Sequence, residues 1–529
     1  MAAASAIARR TLADARVRNV SFALLFASVA YANVLGYRSA YPTLKDRLGF
    51  AHAFGGNASL RLFYGKPHDL LTEGGYTAWR VGGALAIFAA MWGMLAAIRA
   101  LRAEEDSGRQ ELVLAGVVGR RDAYLAALAA TGAGAAGLWL ATFIALFGAR
   151  LPVGESAYLA FAVVSVVPVF VGVGALASQL APTRRLAVEL SSGVLTAALL
   201  ARVIADTSSG LEWLRWATPL GWCEELRPFT GSRPLVALAP LAASALLLFA
   251  AGRISLRRDV GSGLLAARDS APPHMRLLSS PSALALRGER GSVIAWLLGT
   301  GFFALVIGLI STSISSAGIS TSLQRQLEKL GAGSITTPAG YIGLSFLFFI
   351  LAVSLFACSQ LAAARHEESQ ERLETLMALP VARRRWLAGR LALALAATVA
   401  ISLTAGVLAW AGANIQNAHV SLASMLEAGA NCLPVALLFL GVAALVFAVI
   451  PRASVGIAYG VVAVTFVWQL FGGLLSAPRW LLDASPFQHV GLVPAQPFKA
   501  GAAAVMLLLA AAASLAALWA FARRDLIGE

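Results

Sequence analysis

Carboxylates set among arginines are the residues here whose types and spacing could do chemistry, and two such groups are copies of one another. Near Glu104 the chain reads EEDSGRQELVLAGVVGRR, and near Glu367 it reads EESQERLETLMALPVARR. At a constant offset of about 263 residues, Glu104, Glu105, Glu111, Ala115, Val118, Arg120 and Arg121 fall on Glu367, Glu368, Glu374, Ala378, Val381, Arg383 and Arg384. Wound as a helix, the second copy puts Glu367, Glu371 and Glu374 along one stripe and Leu373, Leu376 and Met377 on an apolar face. Pro380 then stops the helix, and Arg383, Arg384 and Arg385 anchor the next segment. The first copy sets Glu104, Glu105 and Glu111 against Val113 and Leu114, with Gly116 and Val117 in place of Leu379 and Pro380. A short acidic, amphipathic helix suits docking into a partner's groove, whereas anionic lipid would attract a basic one.

Bond-breaking chemistry has little support. A phosphate-cradling P-loop needs an upstream glycine followed by Gly-Lys-Ser/Thr, and Gly65-Lys66 precedes a proline. The six histidines are scattered with no HExxH pair, and Cys223, Cys358 and Cys432 sit in apolar contexts suited to packing. The expectation is no catalytic residue, no metal site and no cofactor bound by this chain. Glu189, near the end of an apolar run, has Arg185 one turn earlier as an ion-pair partner. Phe88 and Trp92, and Phe346 and Phe349, are candidates to line a route for a bulky apolar cargo.

The elements that must position these residues are membrane spans. Of the 529 residues 58% are hydrophobic and 13% charged, about half the charged fraction of an ordinary soluble domain. Mean hydropathy is +0.74. Too little polar surface remains to cover a globule, so the bilayer is the expected solvent. Apolar runs place spans near 19–37, 80–100, 124–148, 157–180, 186–205 and 235–253, then near 291–313, 339–363, 388–411, 427–450, 454–476 and 501–522. A polar linker containing Ser270-Ala-Pro-Pro-His274 separates the two sets of six. The first run continues without a cleavage pattern and reads as a span rather than a signal peptide.

The sequence thus predicts an all-α polytopic protein of about twelve transmembrane helices. Residues 1–256 form a first six-span repeat with an N-terminal elbow helix, 257–290 a linker and second elbow helix, and 291–529 a second repeat. The duplication extends beyond the acidic loops: Ala217-Thr-Pro219 falls on Ala484-Ser-Pro486, and Arg257-Arg-Asp-Val260 on Arg523-Arg-Asp-Leu526. An even number of spans per copy gives both copies one orientation, so the repeats are parallel. With the N-terminus inside, 27 of the 42 basic residues, every one an arginine, fall on the cytoplasmic side. That bias puts both termini there and argues against a nucleic-acid partner despite a net charge of +15. Trp213, Trp216, Trp222 and Trp480 fit interfacial segments on the outer face. Two readings of function stand open on these features: an exporter permease driven by a separate ATPase, or an ion-coupled secondary transporter with two six-helix repeats. The second needs midplane acidic residues, and Glu189 lies near one end of its span.

The stretch Arg365 to Arg383, with its Glu-Glu pair, Leu373-Glu, Leu376 and Pro380, resembles the cytoplasmic loop of ABC-2-type permeases. In that family the loop is the coupling helix that meets the ATPase. The runs Arg257-Arg-Asp-Val-Gly-Ser-Gly-Leu-Leu265, Ser280-Pro-Ser-Ala-Leu-Ala-Leu-Arg-Gly-Glu-Arg-Gly-Ser292 and Asn57-Ala-Ser-Leu-Arg-Leu-Phe-Tyr-Gly-Lys-Pro67 are similar to the duplicated, twelve-span permeases of actinobacterial polyketide-antibiotic exporters of the tetronasin type. So is the run Gly74-Gly-Tyr-Thr-Ala-Trp-Arg80. The first-half loop departs from the pattern by lacking the proline. The resemblance implies export of hydrophobic or amphipathic compounds across the cell membrane by two copies of a P-loop ATP-binding cassette subunit. These would bind ATP and Mg and act on the two loops.

Overall fold

The structure is a computed structural model that describes residues 2–55, 61, 64–116, 118–207, 210–265, 280–316, 337–471, 480 and 483–525. Its regular elements are helical, and the chain divides into two compact units, Met1–Ala271 and Pro272–Glu529. Eleven helices among the described residues are long and apolar enough to cross a membrane. The first unit holds Arg16–Ala40, Glu73–Asp106, Arg120–Gly148, Val153–Leu180, Arg184–Asp206 and Pro234–Arg257. The second holds Pro281–Thr312, Pro338–Ser369, Arg383–Ile415, Leu422–Val449 and Ala500–Arg523. The twelfth expected span is the shorter apolar helix Ser454–Gln469; residues 472–476, the end of the expected run, lie outside the described residues. The membrane-protein class and the all-helical fold are as the apolar runs predict.

Burial sorts the helices of each unit. In the first unit 72% of the apolar stretch is buried in both the second and the fourth span, against 22% in the first, fifth and sixth. The second unit repeats this with its second and fourth spans. These two helices are the centre of each bundle, and the others turn residues such as Leu246 and Leu508 outward. Apolar surface of that extent needs lipid as its solvent.

Both fourth spans are broken, which the apolar runs do not announce. Val153–Val164 is followed by Val166–Leu180, and Leu422–Ala430 by Leu433–Val449. A proline lacks the N–H that would bond the carbonyl four residues back and pushes against it. Pro168 and Pro434 deny that bond to Val164 and Ala430, where the upstream helices end.

Helix Ala2–Asp14 meets the first span at Ala15 and packs on Arg120–Gly148, in the region expected for the first elbow. The segment 282–290 expected as the second elbow is instead the opening of one 36-residue helix, Pro281–Ser316. In the second unit Pro281–Ser316 and Arg383–Ile415 approach backbone to backbone: a methyl at Gly412 would sit on the carbonyl of Leu305, and one at Gly308 on that of Ala409. Small residues permit such contact between apolar helices.

The segment after the first span is built on aromatic rings and on ion pairs to Glu73 from Arg38 and Arg47. Tyr37 stacks on Tyr76 at 4.3 Å and donates to the Leu70 carbonyl at 2.5 Å, and Arg38 pairs with Glu73 at 2.6 Å. Most of the 57–63 stretch lies outside the described residues.

Candidate functional site

The duplicated acidic loop has the same backbone course in both units. In the first, the second span ends at Ala100 and helices Arg102–Asp106 and Arg109–Leu114 follow. Between the two short helices Gly108 turns the chain with φ 72°. In the second, the long helix runs to Ser369, Glu371 turns with φ 58°, and Arg372–Met377 follows. The amides of Gly108 and Glu371 donate to the carbonyls of Glu105 and Glu368 at 2.9 and 3.0 Å. A left-handed residue between helices changes the axis, so the continuous stripe through Glu367, Glu371 and Glu374 is corrected to two helical pieces meeting at Glu371. Glycine takes that conformation freely, and a glutamate adopts it at a cost of about 1 kcal/mol.

A buried ion triad pins each loop. Glu105 is buried, pairs with Arg102 at 3.0 Å and accepts from Arg258 at 2.7 Å. Glu368 is buried, and pairs with Arg365 at 3.5 Å and Arg524 at 2.8 Å. Arg258 and Arg524 are the residues on which the sixth-span helices end. Their carbonyls accept from Arg120 at 2.8 Å and from Arg383. A guanidinium at a helix C-terminus also meets the negative end of the helix dipole. Three places in each unit are thereby tied together: the loop, the start of the third span and the end of the sixth. In the first unit Arg102 further donates to the carbonyls of Gly261 at 3.0 Å and Ser262 at 2.9 Å, and to that of Pro182. Asp106 accepts from the amide of Arg184 at 2.7 Å, adding the fifth span.

Of the expected docking residues, Glu105 and Glu368 therefore face inward. Glu104 is partly exposed and pairs with Arg109 at 2.9 Å, and Glu367 pairs with Arg390. Glu111, Glu371, Glu374 and Pro380 are exposed, while Val113 and Leu114 are partly buried. Leu376 and Met377 pack against the core of the second unit beside fully buried Leu373. The apolar side chains the loops present are Leu112, 77% exposed, and Leu379, 57% exposed.

Away from the loop, Trp92 is buried and lines a cavity of about 450 Å³ in the first unit, while Phe88 is exposed. Phe346 is buried, and Phe349 lines an apolar cavity of about 710 Å³ between Pro281–Ser316 and Pro338–Ser369. Trp213, Trp216 and Trp480 are exposed, as interfacial indoles would be. Glu189 pairs with Arg185 at 2.8 Å, both exposed.

The family model for multidrug efflux system permease Rv1217c, C-terminal domain, matches residues 55–257 and 278–522. The chain belongs to this family of multidrug efflux permeases. It is 33% identical over 513 residues, 95% of this chain and 91% of the relative, to the multidrug efflux system permease protein Rv1217c of Mycobacterium tuberculosis (strain ATCC 25618 / H37Rv).

Two groups of buried charged residues in this permease escape a reading of the acidic motif alone. Arg102 and Arg365 complete the triads and stand at the same 263-residue offset as the glutamates they bind, a signal present in the repeat. The other is a charged network closing one end of the first unit. Arg215 pairs with Asp206 at 2.7 Å and Glu225 at 3.2 Å, Arg202 with Asp206 at 3.3 Å and with Glu224, and Arg233 with Glu225 at 2.9 Å. Burial pushes the Glu224 carboxyl above the usual carboxylate range. With Ala217-Thr-Pro219 set on Ala484-Ser-Pro486, Arg202, Arg215, Glu224 and Glu225 fall on Gln469, Leu482, Gly491 and Leu492. The duplicate chain positions hold none of these charges.

Proposed function

We propose that this chain is the permease subunit of an ATP-driven exporter, of the ABC-2 type, and moves hydrophobic or amphipathic compounds out of the cell. The chain would sit in the plasma membrane with both termini and the two acidic loops in the cytoplasm. Two copies of a separate ATP-binding cassette subunit would engage the loops, one at 104–118 and one at 367–381. ATP and Mg enter through those subunits. The permease carries out no covalent step.

The observation that carries this reading is the repeated loop held by its buried triad. A loop that only joined two spans would need no such anchorage, since surface connections ordinarily tolerate motion. Here a displacement of the loop is handed to the end of the sixth span and the start of the third through charge-assisted contacts. Rigid-body movement of parallel repeats, driven by closure of the partner subunits, is the motion this suits. Exposed Glu111, Glu371 and Glu374 with Leu112 and Leu379 supply a small docking surface, acidic with an apolar point. Among the described residues no span places a cluster of carboxylates at its midpoint to hold a coupling ion, which weighs against the secondary transporter.

The test is transport in inside-out membrane vesicles holding the permease and its ATPase. Uptake of a lipophilic dye on addition of ATP, abolished by Glu374→Arg or Leu379→Arg with the chain still inserted, is the expected result. Uptake driven by a proton or sodium gradient without nucleotide would replace this reading with the ion-coupled one.

A further inference from the structure

The cavity beside Trp92 opens at one end of the first unit. Its wall is made by helix Ala2–Asp14, the start of the first span, the end of the second with the acidic loop after it, and the start of the third, with Gln179 and Ser255 from the ends of the fourth and sixth. The charged groups on it are unevenly paired. Asp14 meets Arg10 at 3.9 Å, Glu104 meets Arg109 at 2.9 Å, and Glu105 is held by Arg102 and Arg258. The carboxylates are thus engaged. Arg18 and Arg99 line the same cavity and have neither a carboxylate nor a hydrogen-bond acceptor among the described residues. Arg120 gives one N–H to a backbone carbonyl and meets no carboxylate among the described residues.

Other polar atoms on the wall are without partners among the described residues as well. Trp92 is 2% exposed, and among the described residues its indole N–H, the buried Nε of Arg18 and the buried side-chain carbonyl of Asn19 meet no hydrogen-bond partner. Buried polar groups almost always find partners, so three orphans on one cavity wall mark a place for a ligand. Between them run apolar side chains, Ile7, Ala96 and Ala127. The pattern calls for an anion carried by an amphiphile.

We propose that this cavity binds the headgroup of an anionic phospholipid. Its phosphate would be held by Arg18 and Arg99, with the Trp92 N–H as an inner donor and the acyl chains leaving past the N-terminal helix. Three things favour a lipid over a free anion. The volume of about 450 Å³ exceeds what a bare phosphate fills. Arg18, Arg99 and Arg120 all stand in the end turns of spans, at headgroup depth. Basic pockets between transmembrane helices at this depth are where acidic headgroups settle. The site depends on neither the ATPase nor the direction of transport.

The experiment is lipid binding to the full-length chain in neutral detergent, read by native mass spectrometry. Phosphatidylglycerol, phosphatidylcholine and inorganic phosphate are the probes. The wild-type chain should prefer phosphatidylglycerol over phosphatidylcholine by about tenfold, the scale set by desolvated charge-assisted contacts. Arg99→Gln, at an exposed position that folding does not require, should cut that preference at least threefold. Arg18→Gln with Arg99→Gln should abolish it, while Arg99→Lys retains most of it. Equal binding of the two lipids, or a preference untouched by Arg99→Gln, overturns the proposal. Displacement of phosphatidylglycerol by millimolar inorganic phosphate overturns it too, since the site would then take a free anion.

Discussion

Replacing Glu368 by glutamine removes a charge that two arginines share. The Glu368 side chain is 1% exposed and those of Arg365 and Arg524 are 13% and 12% exposed, so water cannot take over the lost role. Removing one partner of a buried pair strands the other charge, at a cost of about 3–5 kcal/mol. Because both arginines keep a little water, the low end applies, about 3 kcal/mol. Glu374, in the first turn of the next helix, is exposed and in no ion pair among the described residues, and its glutamine variant should change stability by at most about 0.5 kcal/mol. Arg524→Gln alone should cost as much as Glu368→Gln, and the double variant little more than either. That leaves a coupling energy of about 2–3 kcal/mol, far above the roughly 0.5 kcal/mol within which independent sites add. The assay is equilibrium unfolding in mixed micelles of the four proteins of the cycle. Additive losses, or a Glu368→Gln variant as stable as Glu374→Gln, would refute the claim that the triad anchors the loop.

Further expectations concern the backbone and the exposed surface. Gly108→Ala forces a side chain into a left-handed turn and should cost about 1 kcal/mol in the same unfolding assay; no loss would mean the turn relaxes freely. Gly412→Ala drives a methyl onto the Leu305 carbonyl and should cost about 1–3 kcal/mol. Gly299→Ala, with open space around it, should be neutral or stabilising by up to about 1 kcal/mol, and the reverse order would contradict the close helix contact. Leu379→Arg, at an exposed site, should leave unfolding unchanged within about 0.5 kcal/mol. It should nevertheless reduce recovery of the ATPase in pull-downs; undiminished recovery would remove Leu379 from the docking surface.

What could be read from the residues alone follows the physics of each feature. Spans are legible because twenty apolar residues in a row have one stable environment, and the observed helices extend most of the predicted runs by a turn or so at their ends. The broken fourth spans show the limit: Pro168 and Pro434 are visible as letters, but apolar length outweighs one proline in a reading by runs. The acidic loop is legible as a repeat but not as a shape. A helical-wheel argument assumes an unbroken axis, and Glu371 is not a residue type that announces a left-handed turn; Gly108 at the matching position was the available clue. The inward turn of Glu105 and Glu368 depends on partners more than 150 residues away, Arg258 and Arg524. No local pattern names such a partner, although each end of the pair had been marked separately by the duplication.

The central claim is that the permease works through a separate ATPase seated on the two acidic loops. Its most direct test is to purify the tagged chain in mild detergent from its own membrane and measure which proteins accompany it and in what ratio. The account predicts a P-loop ATP-binding protein at about two copies per permease, lost when Glu111 and Glu374 are both changed to arginine. A partner-free permease that still moves substrate on an ion gradient would contradict it.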